Sequence, residues 1–141
     1  MSAVRGNTVY LEALDRTQDL LNVKWTLKSA GLRIGSTWHD LPGSSSGLSS
    51  KDHWNANAVE RLQECSLLVV ICGNNDKSIP EMAMMAGLAI AHGLDVVWIG
   101  PPLGALNAFR TVRQFDTVEH YERTLLQRMY SQPPTVEFVA A

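Results

Sequence analysis

Apolar residues fall along this chain in two kinds of run. Leu67-Leu68-Val69-Val70-Ile71 and Asp95-Val96-Val97-Trp98-Ile99 are short and nearly continuous, as strands buried on both faces of a sheet are. The β-branched and aromatic stretch from Asn7 to Glu12 predicts a first strand, Leu32 to Thr37 a weaker second one, and Val112 to Phe115 a last one. Between these runs the period lengthens to that of a helix. From about Thr17 to Ala30, Leu20, Val23, Leu27 and Ala30 share one face and Gly31 ends the segment. Lys51 to Glu64 carries Trp54, Ala58, Arg61 and Leu62 along one side, continued by Cys65. A third helix opens with Ser78 as cap and Pro80 in its first turn, and stops before Gly93. Thr117 caps a fourth, with Val118, Tyr121, Leu125 and Met129 inward.

Strands alternating with helices imply right-handed parallel crossovers and a three-layer α/β/α sandwich. The expected sheet is five-stranded, parallel and flavodoxin-like, in the order 2-1-3-4-5. At 141 residues the chain fits a single domain, with a core over about 7–130 and a Pro-containing tail over 131–141. Open parallel sheets bind ligands outside the carboxyl ends of their strands, so Cys72 to Asp76 and Gly100 to Pro102 are expected on the working edge. Candidate ligand residues on that edge are Tyr10, Glu12, Trp38, Asp40, Gly73, Asp76, Glu81 and Met85. Tyr10 and Trp38 offer flat aromatic faces for stacking, and the carboxylates offer hydrogen-bond acceptors. The Ser/Gly-rich stretch from Asp40 to Ser50 is long for a mere connection, which suits a functional loop.

Composition removes several alternatives. A net charge of −2, with no clustered Lys or Arg, argues against nucleic acid as a partner. No stretch reaches the length of a membrane span or looks like a signal sequence, so a cytoplasmic protein with no membrane partner is expected. Cys65 and Cys72 bracket a strand about 23 Å long, too far apart for a disulfide, and are expected as free thiols. The four histidines lack metal-ligand spacing and there is neither a GxGxxG nor a P-loop, so neither a metal nor a cofactor is implied. From Met82 to Ala91 the third helix has no polar residue at all. With Ala83, Ala86, Gly87 and Ile90 expected on the sheet, Met84, Leu88 and Ala91 need another cover. A two-fold homodimer supplies it; the apolar tail 136–139 is the intramolecular alternative.

Several stretches, in this order, resemble the nucleoside 2-deoxyribosyltransferase-like family. They are Val9-Tyr10-Leu11-Glu12-Ala13, the turn Ser36-Thr37-Trp38-His39-Asp40, the segment from Trp54 to Val70, Gly87 to Gly93 followed by Val96 to Pro101, and Phe115-Asp116-Thr117. The likeness covers most of residues 7–126. It implies a nucleoside or nucleotide ligand in a cleft at the carboxyl edge. It also implies a glutamate nucleophile two residues before the position of Gly87, which here is Met85, and a nucleoside-positioning aspartate where Ala58 stands. A thioether does not attack a glycosidic carbon. The expected function is therefore nucleoside or nucleotide binding by a divergent member with weak or lost catalysis. The alternative is an active N-glycosidic-bond enzyme, a deoxyribosyltransferase or deoxynucleotide N-glycosidase. In it Glu81, one turn before Met85, is the nucleophile and Asp40 assists. Locally, Ser78-Ile79-Pro80-Glu81 also reads as a capping box, with Glu81 bonding back to the Ser78 N–H.

Overall fold

The computed structural model describes residues 8–13, 18–36, 56–72 and 79–129. Its strands are β1 (Thr8–Ala13), β2 (Arg33–Ile34), β3 (Leu67–Ile71), β4 (Asp95–Ile99) and β5 (Val112–Phe115). The α-helices are α1 (Gln18–Ser29), α2 (Ala56–Gln63), α3 (Ile79–Ala91) and α4 (Val118–Met129), and a 3₁₀ turn spans Leu106–Ala108. The five strands form one sheet in the order β2-β1-β3-β4-β5, and every pairing is parallel. This is the flavodoxin-like α/β/α sandwich that the alternation of periods predicts.

Two apolar clusters lie on the two faces of the sheet. On one face Val9, Leu11, Leu67, Val69, Val97 and Phe115 meet Leu20, Val23 and Leu27 of α1 and Val118, Tyr121 and Leu125 of α4. On the other, Tyr10, Leu68, Val70, Val96 and Trp98 meet Leu62 at the end of α2 and Met82, Met85, Ala86 and Ala89 of α3. Strands buried on both sides need continuous apolar runs, which explains why β3 and β4 lack alternation. Gly31 and Gly93 end α1 and α3 with φ of 91° and 82°, the left-handed conformation that a residue without Cβ adopts freely.

Two expectations need correction. The second strand is only Arg33–Ile34, not the full stretch 32–37. Gly35 still donates to the Val9 carbonyl at 2.8 Å, and a side chain at Gly35 would come within 2.6 Å of the Cys65 sulfur. After that the Ser36 hydroxyl accepts the Leu11 N–H at 2.9 Å, so a side chain replaces the ladder and the strand stops. The sheet-facing stripe of α3 is Met82, Met85, Ala86 and Ala89 rather than Ala83, Ala86, Gly87 and Ile90. Met82 and Met85, together with Ala86 and Ala89, fill the groove over β3 and β4, while Met84, Gly87 and Ala91 turn outward. Helix α2 begins at Ala56, and the predicted start near Lys51 lies outside the described residues.

Candidate functional site

The register fixes which side chains share a face at the carboxyl edge. Tyr10 pairs with Leu68 and Glu12 with Val70, and these continue through Val96 and Trp98 to Val112 and Gln114. Side chains at matched positions of parallel strands point to the same side, so Tyr10 and Glu12 both lie on the α2/α3 face. Glu12 is 0% exposed, at the last row but one of β1. Its Oε1 accepts the Ala13 N–H at 3.1 Å, on the flank of β1 that β2 no longer covers. Beyond the end of β2, the exposed donors of β1 are thus taken by Ser36 and by Glu12 itself.

Tyr10 is 2% exposed, within the apolar cluster and not open to solvent. Burial pushes its phenol well above the ordinary value; the Glu12 carboxylate and Cys65 push the same way, and Arg61 opposes them. Met85 is 1% exposed and belongs to the same cluster. Glu81, one turn earlier, occupies the first turn of α3 and is half-buried. Its Oε2 is shut off from solvent and meets no hydrogen-bond partner among the described residues. The structure thus puts Tyr10, Glu12, Glu81 and Met85 on one face of the sheet, but only Glu12 and Glu81 stand toward the carboxyl edge. Tyr10, level with Leu68 and Val96 near the amino ends of β3 and β4, and Met85 are core residues rather than the edge lining expected from the sequence. Trp38, Asp40, Gly73 and Asp76, with the Ser78 half of the capping box and the loop 40–50, lie outside the described residues.

A close backbone approach and two hydrogen bonds define the lip of this edge. Gly100 follows β4 with φ of 144°, and a Cβ there would stand 2.7 Å from the Cβ of Cys72. The Trp98 indole N–H donates to the Pro101 carbonyl at 2.8 Å, and the Gln114 amide donates to the Gly100 carbonyl at 3.1 Å. Two side chains from the α2/α3 face therefore hold the Gly100-Pro101-Pro102 turn in place. Cys65 and Cys72 are both buried free thiols, and burial raises the Cys72 thiol to about 12, so it stays protonated and unreactive near neutrality.

Sequence reasoning did not foresee a cleft of about 400 Å³ on the opposite, α1/α4 face of the same edge. Its floor is Ile71, Ile99 and Val118, its lip Gly100, Pro101 and Pro102, and its rim Asp19, Asp116, Thr117 and Glu119. Asp19 and Glu119 stand in the first turns of α1 and α4, where the helix dipole favours a carboxylate. Thr117 caps α4 by accepting the His120 N–H at 3.1 Å. The signal that would have found this cleft is topological: α1 and α4 flank the same face, so their N-termini meet over the ends of β3 and β4. Gly100, Pro101 and Pro102, expected from the sequence on the working edge, do line it, whereas none of the described candidate ligand residues, Tyr10, Glu12, Glu81 and Met85, does. No helix among the described residues is long and apolar enough to cross a membrane. The chain matches no family model, no curated protein and no solved structure.

Proposed function

We propose that this domain binds a nucleoside or nucleotide at the carboxyl edge of its sheet and does not break the glycosidic bond. The observation that carries the reading is Met85. At the position where the resemblance to nucleoside 2-deoxyribosyltransferases puts the nucleophile, the side chain is a thioether, 1% exposed, packed with Tyr10 and Val70. A buried sulfur of this kind contributes packing and has no ionisable oxygen to attack an anomeric carbon. Glu12 and Glu81 remain near the edge as acceptors for ligand donors, with Trp38, Asp40, Gly73 and Asp76 completing the proposed lining.

The same reading makes the protein a homodimer. On the side of α3 away from the sheet, Met84 is 65% exposed, Gly87 and Ala91 are exposed, and no polar residue interrupts the stripe. We place the protein in the cytoplasm, where the free thiols Cys65 and Cys72 remain reduced.

A second reading, an N-glycosidic-bond enzyme with Glu81 as nucleophile, has one observation in its favour, the unpartnered Glu81 Oε2. One experiment separates the two. Purified protein is titrated with nucleosides and with nucleoside monophosphates while its thermal midpoint is followed, and the same mixtures are chromatographed for free base. A saturating ligand at 100 times its dissociation constant adds about 2.7 kcal/mol of stability. A raised midpoint without released base is the expected result. Release of base that disappears in Glu81→Gln establishes the enzyme, and no shift with any compound removes the binding reading.

A further inference from the structure

We infer that Glu81 is the acceptor that reads a hydroxyl or N–H donor on the bound molecule. Resting on the binding reading above, this assigns a specificity-determining contact and excludes an anionic group at that point of the ligand. The argument begins with an unmet requirement. A shielded carboxylate oxygen with no donor is costly, and native proteins keep few such atoms, so each calls for a reason. The Oε2 of Glu81 is one of them: solvent does not reach it, and no group among the described residues donates to it.

Position supplies the reason. Glu81 precedes Met85 by one helical turn and so extends the sheet-facing stripe of Met82, Met85, Ala86 and Ala89 beyond the apolar cluster. Helical side chains tilt toward the helix N-terminus. A helix that returns from one parallel strand to the next has its N-terminus at the carboxyl edge, so the Glu81 carboxylate is carried to the edge where open parallel sheets hold ligands. The residue as a whole is half-buried, and a terminal carboxylate turns readily about its last torsion, so either oxygen can meet an arriving donor. An ionised carboxylate accepts hydrogen bonds and donates none. The group that satisfies it is therefore a sugar hydroxyl, an amino group or a ring N–H, and a phosphate there is repelled.

The test uses Glu81→Met, which keeps length and removes the acceptor, and Glu81→Gln, which removes the charge. Thermal midpoints are measured without ligand and with adenosine, uridine and their 2′,3′-dideoxy analogues as probes. Without ligand, Glu81→Met is expected to melt at or above the wild-type midpoint, because a shielded oxygen with no donor has been removed. With the nucleosides, it is expected to lose at least about tenfold in affinity. A lowered midpoint for unliganded Glu81→Met overturns the inference, because Glu81 is then a helix-capping residue. Unchanged nucleoside affinity in both variants overturns it too, while leaving the binding reading intact. If wild type binds none of the probes, it is the binding reading that fails, and the inference falls with it.

Discussion

Replacing Tyr121 by Phe should stabilise the protein, against the usual direction of core substitutions. Tyr121 is 0% exposed, in the cluster between the sheet and α1/α4, with its ring centroid 5.0 Å from that of Phe115. Its hydroxyl is buried without a hydrogen-bond partner among the described residues. Phenylalanine keeps the ring, its packing and its contact with Phe115, and removes one oxygen. Stranding a buried hydroxyl costs about 1–3 kcal/mol, and the small void left by the oxygen returns part of that, for a net gain of about 1 kcal/mol. For a chain of this size that raises the thermal midpoint by about 3 °C. A pH series adds a second, independent reading. Burial holds the Tyr121 phenol above its ordinary value of 10.0, so above pH 10 the unfolded chain releases this proton while the native one keeps it. Stability contributed by this residue is therefore lost as pH rises, at up to about 1.4 kcal/mol per pH unit, and Tyr121→Phe escapes that loss. Urea titrations of both proteins at pH 7 and above pH 10 measure both effects. A variant less stable than wild type by more than about 1 kcal/mol at pH 7 would refute the reasoning, because the hydroxyl must then have a partner.

Cys72 should behave alike through a different group: burial raises its thiol from 9.0 to about 12, so stability falls between those pH values and Cys72→Ala flattens the fall. An unchanged alkaline slope in that variant, measured by urea titration, would show the thiol to be accessible. Gly100→Ala is expected to destabilise by about 2 kcal/mol or more, since its φ of 144° disfavours a side chain and the new Cβ meets the Cβ of Cys72 at 2.7 Å; a thermal midpoint within a degree or two of wild type would contradict the geometry. Light scattering at micromolar concentration should give about twice the monomer mass, reduced to the monomer value of 15.5 kDa by Met84→Glu; a wild-type monomer refutes pairing through α3.

The fold was legible because its signals are local and redundant. Helices α1 and α4 carry a stop or cap residue beside a matching apolar period, α3 carries both a cap and a stop, and the runs in β3 and β4 can be buried only in a sheet covered on both faces. Where tertiary context decides, local reading slipped. In α3 every residue from Met82 to Ala91 is apolar, so periodicity has no polar side against which to set the phase. Tertiary packing sets the phase instead: Ala86 faces the sheet as expected, but Met82, Met85 and Ala89 take the places expected for Ala83, Gly87 and Ile90. The second strand looked longer in sequence because nothing in Leu32 to Thr37 announces that a serine hydroxyl will replace a backbone partner. The α1/α4 cleft was not legible for another reason: its lining comes from four segments far apart in sequence, and only the turn Gly100 to Pro102 was placed at the edge by the strand pattern.

Glu12 shows how one such tertiary fact shapes the candidate site. At the end of an otherwise apolar strand, a glutamate reads as a residue leaving the core for solvent. Here β2 ends early, so the outer flank of β1 beyond Val9 keeps N–H groups that no neighbouring strand can accept. Ser36 takes the first of them and Glu12 the second, and accepting the Ala13 N–H draws the carboxylate against its own backbone. The period-two register then fixes its side: two residues beyond Tyr10, it must share the α2/α3 face, opposite Val70 and above the row that holds Tyr10. Glu12 and Glu81 consequently approach the carboxyl edge on the same face from two different elements, one at a strand end and one in the first turn of a helix. Lengthening β2 would give those N–H groups to a backbone and release Glu12 from its own. The brevity of an edge strand thus becomes a determinant of how the edge presents its carboxylates.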